Sequence, residues 1–109
     1  MEKTCVVVLT TVGSGDDPNA LAATLVTERL AACVNVHGVM NSTYRWKAAV
    51  ESAYEHQLTI KTTADCVPAL QARLHQLHGY EVPEFLVMPV SGGSDRYLDW
   101  IRESTRKAG

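Results

Sequence analysis

An α+β fold is predicted by three features of this sequence. Two stretches carry apolar residues at helical steps, four others alternate or run apolar like strands, and the two kinds interleave as β-α-β-β-α-β before a last amphipathic segment. That order is the ferredoxin-like, split-βαβ pattern, an antiparallel sheet with two helices on one face. Here it carries an extra C-terminal helix and a long hairpin between the second and third strands. Right-handed crossovers put the first and third strands in the middle of the sheet and the second and fourth at its edges. At 109 residues, 46% apolar and 20% charged, there is room for one core, so residues 1–109 are read as a single domain.

Thr4–Thr11 (TCVVVLTT) is β-branched and apolar on both faces, as a strand covered on two sides must be. Gly13-Ser14-Gly15 breaks it, Asp16 or Asp17 supplies an N-cap, and Pro18 suits a first-turn position. Ala22, Val26, Leu30 and Cys33 then recur at helical spacing, which predicts a helix over about 17–33. From Val34 to Val50 period-two alternation persists far beyond the ~5–6 residues of an ordinary strand, and Gly38 marks a kink or bulge within it. A second alternating run carries Tyr54, His56, Leu58 and Ile60 on one face. The hairpin is expected to turn near Ala48–Ala49, which places Arg45 and Lys47 on the side of Glu51 and Glu55. Asp65 is read as the cap of a second helix with the stripe Val67, Leu70, Leu74, Leu77 and Gly79 beyond its end. Glu84–Val90 is a further strand, kept at an edge by Pro89, and Asp95 to about Lys107 a closing helix with Tyr97, Leu98 and Ile101 inward.

Ten Lys and Arg against twelve Asp and Glu give a formal charge of -2, with no basic block to neutralise a run of phosphates, so nucleic acid is not an expected partner. No apolar run approaches the ~18 residues of a membrane span, and the N-terminal residues lack the pattern of a secretory leader. A cytoplasmic protein with no membrane partner is expected. Cys5, Cys33 and Cys66 are too few and too far apart for a disulfide framework or a CxxC knuckle, and reduced thiols follow. The long second strand and the apolar fourth are both edges, and bare edges aggregate. Neighbouring subunits are therefore expected to cover them.

Five segments in register with this element order resemble the CutA divalent-cation tolerance family: ERLAACVNV (28–36), Ser42-x-Tyr44-x-Trp46 with Glu51, Ile60-Lys61-Thr62-Thr63, HGYEVPE (78–84) and Tyr97-Leu98-x-Trp100. The resemblance implies a homotrimer in which long hairpins pair with neighbouring subunits, a bacterial-type cytoplasmic setting, and a link to Cu²⁺ and other divalent metals. Family members described as copper binders carry a cysteine near the end of the first strand and a His-His pair after the second helix. The matching positions here are Thr10, Leu77 and His78, so one of the three ligands is retained.

His75 and His78 stand three apart on the second helix and share a face on which a divalent metal can be held; the alternative is two solvated side chains. No metal is expected to be needed for folding. Cys66, at a helix N-terminus, is either an inert thiol or an activated one opposed by Asp65. Gly13-Ser14-Gly15 lacks the rest of a phosphate loop and reads as a turn and cap. Trp46, Lys61, Tyr80 and Glu84 form a polar-aromatic set with two readings. Either the rings pack a trimer interface while Lys61 and Glu84 form an ion pair, or the four line an inter-subunit cleft for a small anion or metabolite. No nucleophile elbow or zinc-protease motif is present, so a non-enzymatic protein is expected, and the resemblance implies that its function is divalent-cation tolerance with weak metal binding. A small-molecule-sensing trimer of the PII type is the alternative.

Overall fold

The computed structural model describes residues 3–106. Its elements are β1 (Cys5–Gly13), α1 (Pro18–Thr27), β2 (Cys33–Val36), β3 (Met40–Trp46), β4 (Ala49–Thr63), α2 (Val67–Leu77), β5 (Leu86–Pro89) and α3 (Asp95–Ser104). They build a mixed α+β fold with three helices and one antiparallel sheet, ordered β2-β4-β1-β5, in which β3 continues beside the far half of β4. β1 and β4 occupy the middle, as the crossover rule requires.

The expected long second strand is two strands. Val36 faces Leu58 and Met40 faces Glu55, so three residues, His37 to Val39, oppose only two on β4. One extra residue on one strand is a β-bulge, and it falls at Gly38, where the sequence places it. Two histidines fix it. His56 Nδ1 meets the His37 carbonyl at 3.0 Å, and His37 Nε2 meets Thr59 Oγ1 at 2.8 Å.

Alternation then sorts β1 cleanly. Val6, Val8 and Val12 point towards α1 and α2 and join Leu58, Ile60, Leu25, Leu30, Leu70 and Leu74 in the main core. Each fully buried aliphatic side chain there contributes about 1.5–3 kcal/mol. Cys5, Ala32 and Ile101 make a smaller cluster beneath α3. Beyond the core the β3–β4 hairpin projects, which gives the molecule a 46 Å long axis against 25 and 24 Å.

β1 runs on to Gly13 and β5 is trimmed to Leu86–Pro89, and other boundaries also differ from expectation. α1 stops at Thr27, not near residue 33, because Arg29 adopts a left-handed φ of 60°. Arg29 N–H then bonds Val26 O and Leu30 N–H bonds Leu25 O, both at 3.0 Å, the paired bonds of a Schellman cap without its usual glycine. Cys33 accordingly opens β2 and does not close a helix. At α2, Asp65 is not the cap: a 3-10 turn, Ala64–Cys66, intervenes, and Asp65 accepts from Thr63 Oγ1 at 2.6 Å and pairs with Lys3 at 3.4 Å. The hairpin turns at Lys47–Ala48, one residue early, with φ of 48° and 69°. That slip puts Tyr44 opposite Glu51 and Met40 opposite Glu55, and leaves Arg45 and Lys47 off that face. α3 ends at Ser104; the expected last residue, Lys107, lies outside the described residues.

Candidate functional site

The hairpin and the connection between α2 and β5 enclose a cleft of about 780 Å³. Trp46, Tyr44 and Met40 come from β3, Glu51 and Glu55 from β4, and Tyr80 and Glu84 from the connection. They converge because even-numbered residues of β3 pair with odd-numbered residues of β4, so all five strand residues share one face.

Tyr80 holds the connection against the sheet. Its hydroxyl donates to Glu55 Oε2 at 3.0 Å, and Glu55 is only 8% exposed. Partial burial, then the bond to this carboxylate and its charge, push the phenol up to about 12. Asp16, whose carboxylate and the Tyr80 hydroxyl both close over Gly13, adds to the same effect.

His78 is the C-cap of α2, and both of its ring nitrogens are engaged. Nδ1 accepts the Tyr80 backbone N–H at 3.1 Å, and Nε2 bonds to the Thr11 carbonyl, which sets the tautomer with its proton on Nε2. The ring also lies 4.6 Å from that of Tyr80. His75 is exposed in the last turn of the helix. Of the remaining family ligand positions, Thr10 is buried and donates to the Glu84 carbonyl at 2.7 Å, and Leu77 is apolar and exposed. Among the described residues no three His, Cys, Asp or Glu side chains come together in a group able to hold a metal ion. Nδ1 of His78 is open to another partner only after it releases the Tyr80 N–H.

The four-residue polar-aromatic set divides. Trp46, Tyr80 and Glu84 line the cleft, and Lys61 lies further along β4, opposite Val7 and Cys33, with its ammonium 5.8 Å over the Tyr97 ring. Glu84 keeps one carboxylate oxygen buried without a hydrogen-bond partner. Glu55 was not singled out from the sequence. The available signal was Tyr80, a phenol in a tight connection that needs an acceptor.

The other motifs resolve simply. Asp17 Oδ1 accepts from the Asn19 and Ala20 N–H groups at 3.1 Å, so the start of α1 is capped from within. The Cys66 thiol is 2% exposed and donates to the Arg106 carbonyl at 3.1 Å. It stands at the opposite end of α2 from His75 and His78, roughly 15 Å along the axis, too far for a nucleophile–base pair. No helix among the described residues is long and apolar enough to cross a membrane.

Comparison with known proteins places these features in context. The sequence model of the family described as CutA1 divalent ion tolerance protein matches residues 6–104. A Thermus thermophilus protein named divalent-cation tolerance protein CutA is 46% identical over 99 residues, covering 91% of this chain and 96% of the relative. The chloroplastic protein CutA of Arabidopsis thaliana is 41% identical over 93% of this chain, which spans only 56% of that longer relative. Among solved structures, the PII-like protein CutA from Nostoc sp. PCC 7120 in apo form superposes with a TM-score of 0.86 at 32% identity, over 94% of this chain and 98% of that one.

Proposed function

Because the chain belongs to the CutA1 divalent ion tolerance family, we propose that it serves divalent-cation tolerance as a non-enzymatic cytoplasmic homotrimer that binds Cu²⁺ or another divalent metal weakly. The observation that carries the assembly is the apolar surface left on the sheet. The hairpin exposes Tyr44, Val50 and Tyr54, and the edge strand β5 exposes Leu86, Val87 and Met88. A single copy leaves both regions in water, and three copies in a closed ring cover them.

For the metal, His75 and His78 are the proposed ligands. Their weakness follows from geometry, since coordination at His78 Nδ1 costs the bond from Tyr80 N–H. Calorimetric titration with Cu²⁺ and Zn²⁺ tests this. Heat in the native protein that disappears in His78→Ala supports the assignment, unchanged affinity removes His78, and no heat at millimolar metal overturns metal binding. Sedimentation of the dilute protein as an 11.9 kDa particle overturns the trimer.

The cleft favours a second reading, a PII-like sensor of a small molecule. A 780 Å³ hollow lined by aromatic rings and a few aligned polar groups has the size and chemistry of a ligand pocket. A ligand that binds the folded state raises the melting temperature by mass action, so a thermal-shift screen of nucleotides and organic anions decides it. No shift across the panel rejects the sensor.

A further inference from the structure

The sequence groups Lys61 with Trp46, Tyr80 and Glu84 around a cleft for a small anion or metabolite, and the structure takes that lysine away. Its ammonium lies 5.8 Å over the Tyr97 ring of α3. What lines the cleft is acid: Glu51 and Glu55 from β4, and Glu81 and Glu84 from the connection after α2. Among the described residues that line it, Arg45 is the one basic side chain. The field inside is therefore negative, and an anion is repelled from it. The Tyr80 phenol responds to the same field. Partial burial raises it first, then the bond to Glu55 and the charges of Glu55 and Asp16 add to the rise, to about 12.

Negative charge alone does not define a site, and the rings supply the rest. Tyr44, Trp46 and Tyr80 line this same hollow of about 780 Å³. The face of an aromatic ring attracts a cation, and more strongly where water is partly excluded. The chain provides its own example. The Lys47 ammonium stands 5.5 Å over the Trp46 ring and 3.9 Å from Glu81 Oε2, between two residues of the cleft wall. Its side chain is 72% exposed, and an exposed ion pair of this length is held loosely. A free ammonium, not tethered to the hairpin turn, can take the same place and reach further into the hollow.

We propose that the cleft is a binding site for a small organic cation, an alkylammonium seated against the Trp46 ring beside Glu81, with Glu51 and Glu55 supplying the surrounding negative charge. This rests on the ligand-pocket reading of the cleft and adds ammonium compounds to the panel that decides it. Lys47 occupies the entrance when no ligand is bound and is displaced when one arrives.

Three probes of similar length separate charge from shape: butylammonium, 1-butanol and butyrate. Binding to the native protein is followed by the indole N–H resonances of its two tryptophans, with Trp100, on α3 and outside the cleft lining, as the internal control. Butylammonium is expected to shift Trp46 and not Trp100, with an affinity about 10-fold or more above those of butanol and butyrate. Lys47→Met removes the resident ammonium and is expected to tighten butylammonium about 3-fold, whereas Glu81→Gln weakens it by a similar factor. Both substitutions fall on exposed side chains and spare the fold. Trp46→Leu is expected to weaken it about 10-fold and Trp46→Phe less, with melting temperatures to confirm that both are folded. Butyrate or a nucleotide bound in place of butylammonium overturns the cation and keeps the pocket. Butanol bound as tightly as butylammonium overturns the proposal, because shape alone then suffices. An affinity unmoved by Lys47→Met and Glu81→Gln places the cation away from Trp46 and overturns this site. Silence from every probe and nucleotide overturns the site and the ligand-pocket reading together.

Discussion

The Tyr80 hydroxyl donates to Glu55 Oε2 at 3.0 Å, and this bond ties the connection after α2 to the middle of the sheet. The phenol is held up at about 12, against an ordinary value of 10.0. The folded protein therefore keeps this proton where the unfolded chain has lost it. The stabilisation is complete below pH 10 and is lost as pH rises through about 12. In a near-ultraviolet tyrosinate titration one step is expected near pH 12, and Tyr80→Phe should abolish it. The same variant strands a buried carboxylate, at an expected cost of about 1–2 kcal/mol in denaturant unfolding, moderated because solvent reaches Tyr80. A variant of native stability would mean that the bond does not hold the connection.

The strand order was legible because it rests on long patterned stretches, and β1, with Val6, Val8 and Val12 buried on one face and Cys5 and Thr11 on the other, is the two-sided central strand that its apolar run indicates. Gly38 likewise marked its bulge. Two of the failures are places where an ordinary residue occupies a glycine's conformation. Arg29 ends α1 with a φ of 60°, and Lys47 and Ala48 turn the hairpin with φ of 48° and 69°. No composition signal announces either. At the hairpin the resulting one-residue slip moved Arg45 and Lys47 off the face of Glu51 and Glu55. Of the site, Trp46, Tyr80 and Glu84 were found together. Glu55 was missed because its partner is 25 positions away, a contact that only the fold creates.

The hairpin turn makes its own prediction. Two successive positive φ values define a type I′ turn, which suits right-twisted strands but strains any side chain with a Cβ. Ala48→Gly should relieve that strain and stabilise the protein by about 0.5 kcal/mol, net of the extra freedom glycine gives the unfolded chain. Ala48→Val, β-branched at φ of 69°, should cost about 1 kcal/mol or more. Denaturant midpoints in the order Gly, Ala, Val confirm the turn, and the reverse order rejects it. The Lys47–Glu81 contact, 3.9 Å apart and exposed at both ends, adds little to this balance.

Arg29 is strained yet serves two contacts. Its Nη2 donates to the Glu103 carbonyl at 2.6 Å, and its own carbonyl accepts the Arg106 N–H at 2.8 Å, so the chain after α3 is clasped to the end of α1. Arg29→Ala keeps the backbone strain and loses the side-chain bond, at an expected cost of about 1 kcal/mol. Arg29→Gly loses the same bond but relaxes the left-handed residue, and it should be the less damaging of the two. Hydrogen exchange adds a local reading: protection at Arg106 should fall in the alanine variant before global unfolding does.

Thr62 links the same helix end to the sheet from below. It is fully buried, and its Oγ1 donates to the Leu30 carbonyl at 2.8 Å, just beyond the cap that Arg29 forms. Thr62→Val preserves shape and volume but withdraws the donor, leaving a carbonyl unpaired in the core, which is expected to cost about 1–3 kcal/mol. Thr62→Ser keeps the donor and removes one methyl group, a loss of about 1 kcal/mol. Serine should therefore be the milder change even though valine fills the space better. If valine proves the more stable variant, packing and not the hydrogen bond secures β4 to the end of α1.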